Sequence, residues 1–62
     1  MLITITICTA DECFDERAEF EVARILRTLA DRFNRDGMLA PGELLPIISI
    51  DGNRVGECEA TS

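Results

Sequence analysis

The sequence has no histidine, lysine, tryptophan or tyrosine, and these absences exclude several functions. Histidine is the commonest general acid or base and the commonest metal ligand, so its absence argues against catalysis. Without lysine, six arginines face twelve acidic residues, and the net charge is -6. Binding to DNA, RNA or an anionic membrane needs a basic surface, which such a chain does not offer. We therefore expect a non-enzymatic protein without a cofactor, whose partner, if charged, is basic.

Long hydrophobic runs are also missing. The N-terminal segment MLITITIC is apolar, but threonines interrupt it, it is too short to span a bilayer, and it lacks the positive charges of a signal peptide. Apolar residues make up 47% of the chain, which is too many for a disordered acidic segment. A chain of 62 residues has room for one core. We predict a cytoplasmic protein with a single domain spanning residues 1–62.

The segment from Glu19 to Gly37, EFEVARILRTLADRFNRDG, has the periodicity of an amphipathic helix. Its apolar residues recur at steps of three and four, which places them on one face of a helix with 3.6 residues per turn. This apolar stripe consists of Val22, Ile25, Leu26, Leu29 and Phe33. We predict a helix from about Glu16 to Arg35, closed by Gly37.

Three other segments have the pattern of β-strands. From Leu2 to Thr9 isoleucine alternates with threonine or cysteine, which is typical of a strand with one buried face. A second strand is predicted from Leu44 to Ile50, and Pro46 within it favours the edge of the sheet. Asp51-Gly52 indicates a two-residue hairpin turn, after which a third strand runs from Val55 to Ala60.

The sequence of the third strand predicts a departure from regular strand geometry. Val55 and Cys58 would lie on opposite faces of a regular strand, and a bulge at Gly56 would bring both inward.

The order strand, helix, strand, strand predicts an α+β fold, a two-layer sandwich of one amphipathic helix on a three-stranded antiparallel sheet. The first and second strands run in the same direction once the helix has returned the chain. A fully antiparallel sheet therefore needs the third strand in the middle, order 2-3-1. The mixed sheet with the second strand in the middle is the alternative, and Pro46 argues against it. In the predicted fold the apolar stripe packs on Ile3, Ile5, Ile7, Ile48 and Ile50.

Six acidic residues lie within eleven positions before and at the start of the predicted helix. They are Asp11, Glu12, Asp15, Glu16, Glu19 and Glu21. Arg17 is the only cation among them, so the local charge is -5. Acids at a helix start complement the helix dipole, and Asp15 is a good N-cap candidate. Two or three acids satisfy that role, and the others repel one another. The surplus is either a recognition surface for a basic partner or a solvated helix end.

Phe20 lies almost opposite the apolar stripe on a regular helix. Either it is an exposed aromatic, or the helix begins later and Phe20 packs under its first turn as a hydrophobic staple, which we favour. Glu21 and Arg24 have the i,i+3 spacing of a helical ion pair. The candidate partner-binding residues are Asp11, Glu12, Asp15, Glu16, Glu19, Phe20 and Glu21.

Cys8, Cys13 and Cys58 are the remaining candidates for chemistry. Three thiolates without histidine are one ligand short of a structural zinc site, and Cys8 and Cys13 do not have the C-x-x-C spacing. Acidic surroundings disfavour the thiolate that a nucleophilic cysteine needs. A disulfide between Cys8 and Cys13 is geometrically possible, although cytosolic cysteines are usually reduced. We expect free, dispensable thiols and no metal site.

Three motifs taken together resemble a group of small phage and prophage proteins. They are ITIT near the N-terminus, EVARILRTLADRF in the helix and DGNRVGE in the hairpin. Proteins of that group share an ITIT start, an EVARIL-R-LA helix and an NGN-x-VG hairpin over nearly their whole length. The resemblance implies an origin in a mobile genetic element and supplies no activity. Phe20 and the three cysteines depart from the group's pattern.

Small acidic phage proteins without catalytic residues are similar, as a class, to anti-CRISPR proteins, many of which block a nucleic-acid-binding surface with clustered carboxylates. This likeness implies a phage-encoded inhibitor that mimics nucleic acid in the host cytoplasm. Its partner would be a basic protein surface, such as that of a CRISPR-associated nucleic-acid-binding subunit. Carboxylates can take the place of phosphates in an arginine- or lysine-lined groove. We expect the protein to be a monomer or a weak homodimer. The alternative function is that of a structural or accessory phage module that acts by self-assembly or protein–protein interaction through a sheet edge or the outer sheet face.

Overall fold

One helix and three strands make up the regular secondary structure of the described residues. The computed structural model describes residues 1–10 and 14–62. The elements are β1 (Leu2–Ile7), α1 (Ala18–Asp36), β2 (Leu44–Ile48) and β3 (Arg54–Thr61). The strands form an antiparallel sheet in the order β1-β3-β2. The predicted α+β class, the antiparallel sheet and the strand order are confirmed.

Helix α1 begins later than predicted and has a different cap. Arg17 occupies the N-cap position in the left-handed conformation (φ 57°, ψ 48°), and among residues 1–10 and 14–62 no side-chain cap hydrogen bond is formed at the helix start. The expectation that Asp15 is the N-cap was therefore wrong, because the chain turns into the helix two residues after it. At the other end the N–H of Gly37 donates to the carbonyl oxygen of Phe33 at 2.9 Å. Gly37 has φ 82°, which glycine adopts without strain, so its predicted closing role is confirmed.

The core lies between α1 and the sheet. Its buried residues are Phe14, Ile25, Leu29, Leu39, Ile47, Val55, Cys58 and Ala60. From the predicted core, Ile25 and Leu29 are buried, and four other members are partly buried against it, namely Val22, Phe33, Ile3 and Ile7. Leu26, Ile5, Ile48 and Ile50 are exposed, so their assignment to the core was wrong. Phe14 and Leu39 lie outside the helix and strands and were not predicted.

The hairpin between β2 and β3 explains two of these errors. The N–H of Gly52 donates to the carbonyl oxygen of Ser49 at 2.9 Å, which makes Ile50 and Asp51 the central residues of the turn. The turn therefore lies one residue earlier than predicted, and β2 ends at Ile48 rather than at Ile50. Leu45, Ile47 and Ser49 point toward the core instead of Ile48 and Ile50, because a shift of one residue exchanges the two faces of a strand.

Strand β3 carries the predicted irregularity. Ile47 pairs with Gly56 and Ile48 with Arg54, which leaves Val55 as the extra residue opposite β2. The predicted bulge is present, but its extra residue is Val55 and not Gly56, and Val55 and Cys58 are both buried as expected. Gly56 also lies so close to β1 that a Cβ atom there would collide with the carbonyl oxygen of Thr6.

Candidate functional site

The candidate site is the turn that leads into α1 together with the first helical turn. Asp15 and Glu16 precede the helix, Glu19 and Phe20 lie in its first turn, and all four are exposed. We call the exposed carboxylates of Asp15, Glu16 and Glu19 the acidic helix start. Asp11 and Glu12, the first two predicted site residues, lie outside the described residues, as does Cys13.

The three carboxylates of the acidic helix start face solvent, and no cation of the described residues pairs with them. Within residues 1–10 and 14–62, Asp15, Glu16 and Glu19 form no ion pair and accept no side-chain hydrogen bond. The positive end of the helix dipole attracts these carboxylates. At an exposed site this attraction stabilises the helix by about 0.3–1 kcal/mol per charge. The structure thus presents three exposed negative charges at the N-terminal end of α1.

Phe20 adds an exposed aromatic ring to this end. Its side chain is 58% exposed, and the guanidinium carbon of Arg17 lies 4.5 Å from the ring centroid. This is a cation–π contact, worth about 0.5–1 kcal/mol at an exposed site. Phe20 does not pack under the first turn, so the staple interpretation was wrong and the exposed alternative holds. The ring points away from the core because it lies opposite the apolar stripe.

Glu21 does not join the exposed carboxylates. Its residue exposure is 8%, and its carboxylate accepts two hydrogen bonds from Arg24, with Nε at 2.7 Å from Oε1 and an η nitrogen at 2.8 Å from Oε2. The backbone N–H of Ile50 donates to Oε2 at 3.0 Å. Glu21 therefore ties the helix to the β2–β3 hairpin and is not displayed to a partner. The i,i+3 spacing predicted the pair with Arg24, but no local signal predicted the contact with Ile50.

A shallow groove of about 200 Å³ runs between α1 and β2. Its walls are mainly apolar, with Ile25, Leu29 and Ile47 among them, and its charged residue is Arg24. Arg24 is already bonded to Glu21 and to the carbonyl oxygen of Ile48 at 3.2 Å. The groove is smaller than ordinary ligand pockets of about 300–1,000 Å³. It does not bring together an acid, a base and a nucleophile.

The two described cysteines are separate free thiols. Cys8 is exposed and Cys58 is fully buried in the core. Burial raises the pKa of the Cys58 thiol above its ordinary value of 9.0, because the charged thiolate is poorly solvated there. Among the described residues no three His, Cys, Asp or Glu side chains lie close enough to hold a metal ion.

Comparison with known proteins provides no relative. No family model, no curated protein and no solved structure matches this chain. The resemblance to phage proteins stays a prediction. In the described part of the chain, α1 is too polar to cross a membrane.

Proposed function

We propose that this protein is a non-enzymatic, phage-encoded inhibitor of the anti-CRISPR kind. Its acidic helix start would dock on a basic, nucleic-acid-binding surface of a host defence protein in the cytoplasm. The observation that supports this proposal is a contrast within one run of acids. Glu21 is buried and neutralised by Arg24, whereas Asp15, Glu16 and Glu19 are exposed and without a cation among the described residues.

Three unneutralised carboxylates repel one another in the free protein, and a basic partner would relieve that repulsion. Docking on an arginine- or lysine-lined groove would also release counterions held near the two oppositely charged protein surfaces, an entropic gain of the same kind as the one that drives DNA binding. Asp11 and Glu12 would add to the charge from the preceding segment. Phe20, whose ring is in contact with the guanidinium of Arg17, is an exposed aromatic side chain beside these carboxylates. Aromatic side chains often contribute a large share of the binding energy of an interface.

A charge-reversal experiment tests the docking surface. The variant Asp15→Lys/Glu16→Lys/Glu19→Lys is compared with a control in which three exposed acids elsewhere are reversed, Asp31→Lys/Asp51→Lys/Glu59→Lys. Both changes bring the net charge from -6 to zero. Asp15 can be included because it does not cap the helix, and Arg24 is avoided because it holds Glu21. Tagged parent and variants are used to capture proteins from bacterial lysate freed of nucleic acid.

Nucleic-acid mimicry by this surface predicts which of the three proteins, the parent and the two triple variants, captures a host protein. The parent and the control should retain the same nucleic-acid-binding protein, added DNA or RNA should displace it, and higher salt should weaken it. The variant Asp15→Lys/Glu16→Lys/Glu19→Lys, here called the acidic-start variant, should not retain that protein. Equal retention by both triple variants, or retention that nucleic acid does not reduce, would reject nucleic-acid mimicry by this surface.

A functional assay tests the inhibitor role. Expression of the parent in a panel of strains immunised by different CRISPR types should restore phage plating in at least one type, and the acidic-start variant should not. If the parent protects phage in none of them, the anti-CRISPR assignment is wrong, whatever protein is captured.

A further inference from the structure

We infer that two copies of this chain pair through the outer edge of β1, joining their sheets into one six-stranded antiparallel sheet. This inference does not depend on the proposed function, because it concerns the uncharged edge of β1 and not the acidic helix start. The first ten residues, which include β1, carry no charged side chain, although the chain as a whole contains eighteen.

The backbone of β1 offers three complete hydrogen-bonding positions to a new strand. The N–H of Cys8 donates to the carbonyl oxygen of Val55 in β3 at 2.7 Å. In an antiparallel pair, bonded and non-bonded positions alternate, so Thr4 and Thr6 also bond to β3. The N–H and C=O groups of Ile3, Ile5 and Ile7 therefore point to the outer edge, where no other described strand lies.

The two edges of the sheet are protected differently. Edge strands usually carry a proline, a charge or a bulge that prevents pairing with another chain. Strand β2 carries Pro46, which has no N–H to donate, and it lies against the bulge in β3. Strand β1, with the sequence LITITI, has none of these features. The unprotected edge is thus confined to one side of the molecule.

The sequence of β1 fits a second copy of itself. With a two-fold axis at Ile5, Ile3 lies opposite Ile7 of the second copy, and Thr4 lies opposite Thr6 of the second copy. Isoleucines then meet isoleucines on the helix-facing side, and threonines meet threonines on the outer side, both of which are favourable cross-strand pairs. Such pairing forms about six backbone hydrogen bonds, two at each pair of isoleucines.

The pairing would also cover apolar side chains that the monomer leaves in solvent. Ile5 is 43% exposed although it points to the helix-facing side of the sheet. Leu26, 45% exposed, lies about 200° around α1 from Arg24, which lines the groove at β2. Leu26 therefore lies on the flank of α1 above β1. In the dimer, Ile5 contacts Ile5 of the second copy, and the two Leu26 side chains approach from either side.

Sedimentation equilibrium tests this inference on the full chain, over concentrations from about 1 μM to about 1 mM. The parent mass should rise from 6.9 kDa toward twice that value. Added salt should strengthen association, since it screens the repulsion between two chains of charge -6. This salt effect has the opposite sign to that expected for docking on a basic partner, so failure of one proposal is distinguishable from failure of the other.

A matched pair of variants locates the interface. Ile5→Lys places two ammonium groups against each other at the axis and should weaken dimerisation by more than about ten-fold. Leu44→Lys is the control, because Leu44 is 42% exposed on the other edge strand, and it should dimerise like the parent. Circular dichroism establishes that each variant is folded. Loss of association in Leu44→Lys but not in Ile5→Lys would overturn the inference.

Hydrogen exchange of the parent gives an answer without any variant. The amides of Ile3, Ile5 and Ile7 should gain protection as concentration rises, whereas those of Thr4 and Thr6 should be protected at every concentration. A parent that stays monomeric at the highest concentration, or that associates without this odd–even pattern, overturns the inference.

Discussion

The carboxylate of Glu21 accepts a hydrogen bond from the backbone N–H of Ile50, with 3.0 Å between Oε2 and the nitrogen. This bond joins the first turn of α1 to the turn of the β2–β3 hairpin, two segments 29 residues apart in the chain. The side chain of Arg24 is 38% exposed, so water partly screens its attraction to Glu21. The buried carboxylate of Glu21 bonds both to the guanidinium of Arg24 and to the N–H of Ile50.

Replacing Glu21 by Ala should lower the free energy of unfolding by about 1–3 kcal/mol, because the partly buried N–H of Ile50 loses its acceptor. Glu19→Ala is the matched control. It removes an equal charge two residues away in the same helical turn, but that carboxylate is exposed, and we expect a change within about 0.5 kcal/mol. Urea denaturation at pH 7 measures both variants. Equal effects of the two replacements would show that the contact with Ile50 does not stabilise the fold.

Leu29→Ala should lower the free energy of unfolding by about 2–5 kcal/mol, because it opens a cavity where α1 meets the sheet. Leu26→Ala makes the same change on the same helix at an exposed position. There we expect a loss of less than about 1 kcal/mol, partly offset by the higher helix propensity of alanine. Thermal unfolding of both variants at low protein concentration provides the comparison. A Leu29→Ala variant that melts like the parent would contradict the core described above.

Gly56→Ala should prevent folding or reduce stability severely, since the new Cβ would overlap the carbonyl oxygen of Thr6 in the adjacent strand. Gly52→Ala serves as the comparison. A Cβ at Gly52 meets open space, but its φ of 88° is strained for alanine, so a loss of about 1 kcal/mol is expected. Far-ultraviolet circular dichroism and thermal melting distinguish the two results. A well-folded Gly56→Ala variant would show that β1 and β3 do not approach as closely as described.

Stability should decline as the pH rises through 9.0, in part because of Cys58. Burial raises the pKa of this thiol, so the unfolded chain loses the proton at a lower pH than the folded chain does. Ionisation then favours the unfolded state, and the stabilising contribution present below pH 9.0 is lost above it. Urea denaturation from about pH 8 to about pH 10 should show a shallower decline for Cys58→Ala than for the parent. A Cys58→Ala variant that declines as steeply as the parent would contradict this contribution of the buried thiol.

Local sequence pattern determined the kind and order of the elements. Steps of three and four along α1 and alternation along β1 report which residues share a face, since these periods follow from backbone geometry. The same applies to the bulge beside Gly56, because Val55 and Cys58 cannot both be buried on a regular strand. Once the elements were assigned, the strand order followed from the chain directions and from Pro46. The surplus of carboxylates before α1 was likewise visible without a structure.

The tertiary structure decided which of these residues are buried. Alternation along β2 shows that there are two faces, but the position of the turn selects the inner one. A hydrogen bond between Gly52 and Ser49 placed that turn one residue earlier than expected. The alternation along β1 predicts that Ile5 is a core residue. It is exposed nonetheless, because β1 is an edge strand and burial there depends on how far the helix covers it. Glu21, chemically identical to Glu19, became a buried structural carboxylate because folding brings the N–H of Ile50 within hydrogen-bonding distance of it.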